Sequence, residues 1–168
     1  QMVTQRLRFN IFPVLTEAEE QDVSVNTELI EAIPYKSVVQ IIAVVEIEGQ
    51  RFEGWTGSGT IISEEGLILT NAHVVLSDRF FDVVDLIVAI TVAQDQPPQQ
   101  MFFADVIQGD ASLDLAVIKI RSDLDGDPPN FASLSIEPVP LGNSDELTLG
   151  DEIIIIGYPG IGLSLIHI

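Results

Sequence analysis

From Val38 to Glu48 the apolar residues fall at every second position, with Val39, Ile41, Ala43, Val45 and Ile47 on one side and Val38, Gln40, Ile42, Val44, Glu46 and Glu48 on the other. A period of two belongs to a β-strand, and the second face turns polar only at its far end, so this strand is predicted to be buried on one side and along part of the other. Gly49-Gln50 supplies a turn and Arg51 to Ser63 returns as the partner of a hairpin. A further turn at Glu65-Gly66 leads into the strand Leu67 to Thr70, and Asp82 to Ala93 forms another that Pro97-Pro98 ends. Met101 to Gln108 and Leu115 to Ile120 continue the pattern. Asp123 to Pro129 carries turn chemistry, Pro138 to Leu141 reads as a short edge strand, and Ile153 to Ile156 as a fully buried one. Short strands at close spacing, with no long helical period, predict an all-β, antiparallel barrel or sandwich.

A chain of 168 residues, 46% of them hydrophobic, can bury a core for about one domain. Its net charge of −19 repels phosphate backbones and anionic lipid heads, which argues against nucleic acid and membrane surfaces as partners. Cationic or unfolded polypeptides are tolerated better. There is no cysteine, so neither redox compartment is indicated. The longest apolar run, Leu86 to Ala93, falls far short of the roughly 18 residues of a membrane-spanning helix. The first residue is Gln1 and no basic start precedes an apolar core, which leaves a secretion signal upstream open. Residues 1–36 read as an acidic linker or arm with the charge run Glu17 to Asp22, a short helix around Thr27 to Ala32, and Pro34 closing the region.

Two stretches carry chemistry. The first runs from Gly57-Ser58-Gly59 through the apolar strand into Thr70-Asn71-Ala72-His73-Val74-Val75, and places a histidine where a strand ends and can face a cleft. The second is Gly109-Asp110-Ala111-Ser112-Leu113-Asp114-Leu115-Ala116-Val117-Ile118, with an aspartate at the head of a strand. A lone histidine after a strand is more often a packed or surface residue, and a lone aspartate at a strand start more often a turn residue. Together they resemble the histidine and aspartate segments of the trypsin-like serine proteases, in particular the HtrA/Deg branch. The resemblance continues through Pro140 to Glu152 and into Ile153 to Gly162. It implies the first barrel of a chymotrypsin-like double barrel over residues 37–137, then the inter-barrel linker and the start of the second barrel over residues 138–168. It further implies peptide hydrolysis through an acyl-enzyme, His73 as general acid and base, and Asp114 as a buried carboxylate that orients it. Asp110 is expected to be a turn residue.

On that reading the nucleophilic serine and the oxyanion hole lie beyond Ile168, and the 168 residues alone do not hydrolyse peptides. Gly142-Asn143-Ser144 imitates the family's nucleophile motif, but Asp145 and Glu146 stand where two glycines belong, and carboxylates oppose a developing oxyanion. Ser144 is therefore a linker residue. Ser164 lacks the glycine pair too, the tail Leu163 to Ile168 departs from the family's pattern as a foreign or out-of-frame end would, and His167 has no role assigned. Gly57-Ser58-Gly59 is followed by β-branched residues and not by a helix, so it is no phosphate loop, and its glycines allow close approach where a strand bends. Asp123, Asp125 and Asp127 alternate as in a calcium loop, yet Gly126 and Leu134 stand at the wrong positions for one, and no metal or cofactor is expected.

The family resemblance implies polypeptide substrates, unfolded ones among them, and a place outside the cytoplasm. Ile153 to Ile156 would have its strand partners beyond the end of the sequence, which predicts an exposed edge prone to association and leaves an oligomer open. The alternative is a protease-like barrel without catalysis that holds polypeptides as a binding or scaffold module. Such a module has no need of His73 and Asp114 together.

Overall fold

The computed structural model describes residues 3–6, 35–77, 79–93, 96–134, 138–151 and 153–158. Six strands, β2 (Val38–Ile47), β3 (Gln50–Ile61), β4 (Leu67–Thr70), β5 (Val83–Ile90), β6 (Gln99–Asp110) and β7 (Leu115–Asp123), close into an antiparallel barrel in the order β2-β3-β4-β7-β6-β5. The all-β, chymotrypsin-like barrel is thus present. In β2 every residue from Val38 to Val45 except Gln40 is buried, as the alternation required, because β2 has a neighbour on each edge and its outer face is partly covered. The hairpin turn falls one residue earlier than expected, at Glu48-Gly49, both with positive φ (52° and 78°), as a two-residue hairpin loop demands. The longer strands change register within the barrel, at Ala43/Val44, Val88/Ala89 and Phe103/Ala104 among other places. Such irregularities let a strand bend enough to close a small barrel.

Ile41, Ile68, Val88, Ile118 and Phe102 fill the centre, one from each of five strands. Ala72, Val74 and Val75 of a one-turn helix, α1 (Ala72–Val75), plug one end of this core. Among the described residues no helix is long and apolar enough to cross a membrane.

Two expectations are corrected. Pro138 to Leu141 forms no strand: Val139 N–H donates one bond to the Ile61 carbonyl at 2.9 Å, and the prolines at 138 and 140, which have no N–H, prevent the ladder from continuing. The last strand, β8 (Ile154–Gly157), is not fully buried, since Ile153 and Ile155 are 41% and 49% exposed. It also has a partner the sequence did not suggest, β1 (Val3–Arg6), which pairs with it antiparallel from Val3 opposite Gly157 to Arg6 opposite Ile154. A piece of the acidic arm therefore occupies one edge expected to be open. Residues 7–34 of the arm, with the helix around Thr27 to Ala32, lie outside the described residues, as do Ser164, His167 and the tail.

The segment after β8 is fastened to the barrel by polar groups. Tyr158 N–H donates to the Ser58 hydroxyl at 2.7 Å, and the Tyr158 ring is buried with its own hydroxyl bonded to that of Thr91 and 3.4 Å from the Val38 carbonyl. Burial pushes the Tyr158 phenol above its ordinary pKa, so it stays neutral there. Thr91 is fully buried, and its hydroxyl has no other side-chain partner among the described residues. Tyr158→Phe is expected to strand that hydroxyl and cost about 1–3 kcal/mol, with faster amide exchange across β8. An unchanged melting curve and exchange pattern would contradict this.

Candidate active site

Helix α1 is too short to form by itself, since nucleation of a single turn is unfavourable. Tertiary contacts hold it. Val74 and Val75 are buried, Leu76 N–H closes the turn onto the Ala72 carbonyl at 2.9 Å, and the Trp55 indole N–H donates to the Val74 carbonyl at 3.0 Å. His73 projects outward between the buried positions. The helix fits because Gly57 leaves room, a Cβ there lying 2.4 Å from Val74 Cγ2; Gly59 leaves room for the barrel core instead, where a Cβ would lie 2.6 Å from Ile68 Cγ2. The close approach expected of these glycines is present. Gly57→Ala should push α1 and His73 outward at a cost of about 1–3 kcal/mol, and Val74→Ala in the same protein should recover part of it. Additive losses in the double variant, measured by denaturation, would show that the two positions do not meet.

Asp114 arrives from the turn between β6 and β7. Asp110 builds that turn, its Oδ1 accepting from the Ser112 N–H (2.8 Å), the Ser112 hydroxyl (2.6 Å) and the Leu113 N–H (3.2 Å), as its turn role required. At Asp114 the backbone is left-handed, φ 51°, which aspartate tolerates better than most residues. Its carboxylate then meets α1. The His73 N–H donates to Oδ1 at 3.0 Å, and His73 Nδ1 lies 2.9 Å from Oδ1 and 2.8 Å from Oδ2. Asn71 completes the set, its amide nitrogen donating to the Asp114 carbonyl at 3.0 Å and to Oδ2 at 3.2 Å.

The His73 backbone N–H and then its imidazole, with a smaller share from Asn71, hold the Asp114 carboxyl below the usual carboxylate range. A depressed folded value means that the stability Asp114 contributes is present above its unfolded pKa and disappears as pH falls through the folded one. Carboxyl NMR should therefore show Asp114 titrating below an unperturbed aspartate. A titration at or above the ordinary value would contradict the geometry. An ionised carboxylate only accepts, so Nδ1 carries the proton and the lone pair of a neutral ring sits on Nε2. Nε2 has no protein partner among the described residues.

One expectation is overturned here. Asp114 is not a buried carboxylate: its side chain is 45% exposed and that of His73 is 70% exposed. They sit on the outer side of α1, where nothing among the described residues packs over them. Ser144 is elsewhere, exposed in the 3-10 turn Ser144–Glu146, with Asn143 capping that turn by accepting from Asp145 N–H at 3.1 Å, and it makes no bond to His73. Asp123, Asp125 and Asp127 form a plain turn in which Asp123 Oδ1 accepts the Asp125 and Asp127 N–H groups at 3.0 and 2.8 Å. The residue that sequence reasoning missed is Asn71. Nothing in the sequence places its amide against Asp114, 43 positions further on.

Comparison with known proteins identifies the family. Residues 57–166 match the family described as trypsin-like peptidase domain. Serine protease HTRA4 of Homo sapiens is 33% identical over 140 residues, which is 80% of this chain and 25% of that protein. Serine protease PepD of Mycobacterium tuberculosis is 28% identical over 130 residues, 77% of this chain and 25% of its own length. A probable periplasmic serine endoprotease, DegP-like, of Hahella chejuensis is 32% identical over 106 residues, 62% of this chain and 18% of its own. The chain spans about a quarter or less of the length of these relatives. A closed antiparallel barrel, a histidine and aspartate joined at its end, and a family match over most of the sequence place this chain in the trypsin-like peptidase domain family, among relatives of the HtrA serine proteases.

Proposed function

We propose that this chain supplies the histidine and aspartate of a serine endopeptidase that cleaves polypeptides, unfolded ones included, outside the cytoplasm. One observation carries the reading: Asp114 grips His73 at Nδ1 and leaves Nε2 open to solvent on the outer side of α1. As the serine oxygen bonds to the scissile carbonyl carbon, Nε2 takes the hydroxyl proton and then delivers it to the amine as the C–N bond breaks. An acyl-enzyme remains, and water, deprotonated by the same nitrogen, releases the acid and restores the serine. Asp114 stays ionised throughout and stabilises the imidazolium. The serine and oxyanion hole belong to residues following Ile168, residues 37–137 being the first barrel and residues 138–168 the linker and opening of the second. The name of one relative, a probable periplasmic endoprotease, supports the location.

The test begins with the coding DNA past Ile168. A serine in a glycine-rich turn, in frame, is expected, and the extended protein should hydrolyse peptides while the 168 residues alone do not. Turnover by the highly purified 168-residue chain that vanishes in His73→Ala would place the nucleophile within it. A downstream sequence without such a serine would leave the barrel a polypeptide-binding module.

A further inference from the structure

We propose that Asn71 is a positioning residue that aims the Asp114 carboxylate at the imidazole of His73, through an exchange of capping roles between the two residues. The inference rests on the roles proposed for His73 and Asp114.

A residue at a helix N-cap ordinarily accepts, with its side-chain oxygen, a backbone N–H from the first turn. Asn71 occupies the N-cap of α1 with extended backbone angles (φ −82°, ψ 144°), yet its side chain makes no capping bond. The N–H it would be expected to serve, that of His73, is taken at 3.0 Å by Asp114 Oδ1 from across the site. Relieved of capping, the Asn71 amide turns to Asp114 and donates to its carbonyl at 3.0 Å and its Oδ2 at 3.2 Å. The orientation of the amide follows from its neighbours, because both are acceptors and a reversed amide would set oxygen against oxygen.

The outcome is a carboxylate held at each oxygen by a group other than the imidazole. The His73 main chain holds Oδ1 and Asn71 holds Oδ2, while the second Asn71 bond ties down the left-handed backbone at Asp114. His73 is the charged or titratable partner of Asp114 on α1, and Asp110, in the preceding turn, is engaged with Ser112 and Leu113. The aim of the carboxylate is therefore set before the ring docks. Serine and threonine cap a helix about as well as asparagine, but they have no amide to donate to two oxygens at once. That difference separates positioning from capping.

The experiment compares Asn71→Ser, Asn71→Thr and Asn71→Ala in the 168-residue protein by carboxyl and imidazole NMR. Asn71 is exposed, so the folded state is expected to survive, checked by thermal melting. All three variants should titrate Asp114 at higher pH than the parent and exchange the His73 Nδ1 proton faster than it does. Parent-like titration and Nδ1 exchange in the serine and threonine variants, with only the alanine variant disturbed, would make Asn71 an ordinary cap and overturn the proposal. In the protein extended through its nucleophile, Asn71→Ser should lower kcat about 10²-fold with KM little changed. Absence of protease activity in that parent would sink the endopeptidase reading alone, since the NMR readout does not depend on turnover.

Discussion

His73→Ala, in a protein that includes its nucleophile, is expected to lower kcat by about 10⁴-fold or more, with KM little altered. No other described group can take over. The ring stands 70% exposed with Nε2 unpartnered among the described residues, and Asp114 reaches the other nitrogen, Nδ1. Asp114→Asn should approach the same loss by a different route, because an amide donating to Nδ1 moves the ring proton to Nε2, where a base needs its lone pair. Both side chains are substantially exposed, so the denaturation midpoint of His73→Ala should stay within about 0.5 kcal/mol of the parent. A folded His73→Ala protein that keeps most of its turnover would remove His73 from the chemistry.

The largest effect on stability is expected inside the barrel. Ile118 is fully buried on β7, opposite Ile68 of β4 on one side and Val106 of β6 on the other. Ile118→Ala deletes its outer atoms where three strands meet and leaves a cavity that a closed barrel cannot easily collapse, at about 2–5 kcal/mol. Against a total stability of about 5–15 kcal/mol this is enough to bring the domain near unfolding. Leu149→Ala is the control, its side chain being 97% exposed, and should change the midpoint by less than about 0.5 kcal/mol. A small loss at Ile118 would mean that the barrel is packed less tightly than its geometry implies.

Much of this barrel was legible because its signals are local. The alternation from Val38 to Ile47, the glycines before Thr60 and the apolar run after Asp114 each name a strand within a few residues, and the histidine and aspartate segments sit inside them. What escaped prediction was either too short or too distant to leave a pattern. Four residues of α1 give no helical period, so His73 was placed at a strand end and not on a helix. The role of Asn71 depends on a partner 43 positions away, and a cap residue looks the same whether or not its side chain caps. β1 is four residues in a polar arm, and only β8 reveals it. The apolar run at Ile153 to Ile156 suggested burial on both faces, but hydropathy does not say what covers a face, and Ile155 is exposed. The same holds for Asp114, whose burial was inferred from its role and not from its neighbours.

The pairing of Val3–Arg6 with Ile154–Gly157 joins segments near the opposite ends of the sequence, whereas every strand of the barrel lies between Val38 and Asp123. During synthesis the barrel can close as soon as β7 has emerged, while β1, made earlier, must wait for β8. Contacts so far apart along a chain form late. A ribosome would thus deliver the barrel already folded, with β1 joining afterwards as a clasp laid across finished work, and the order of translation, not the strength of that small sheet, decides when the clasp shuts.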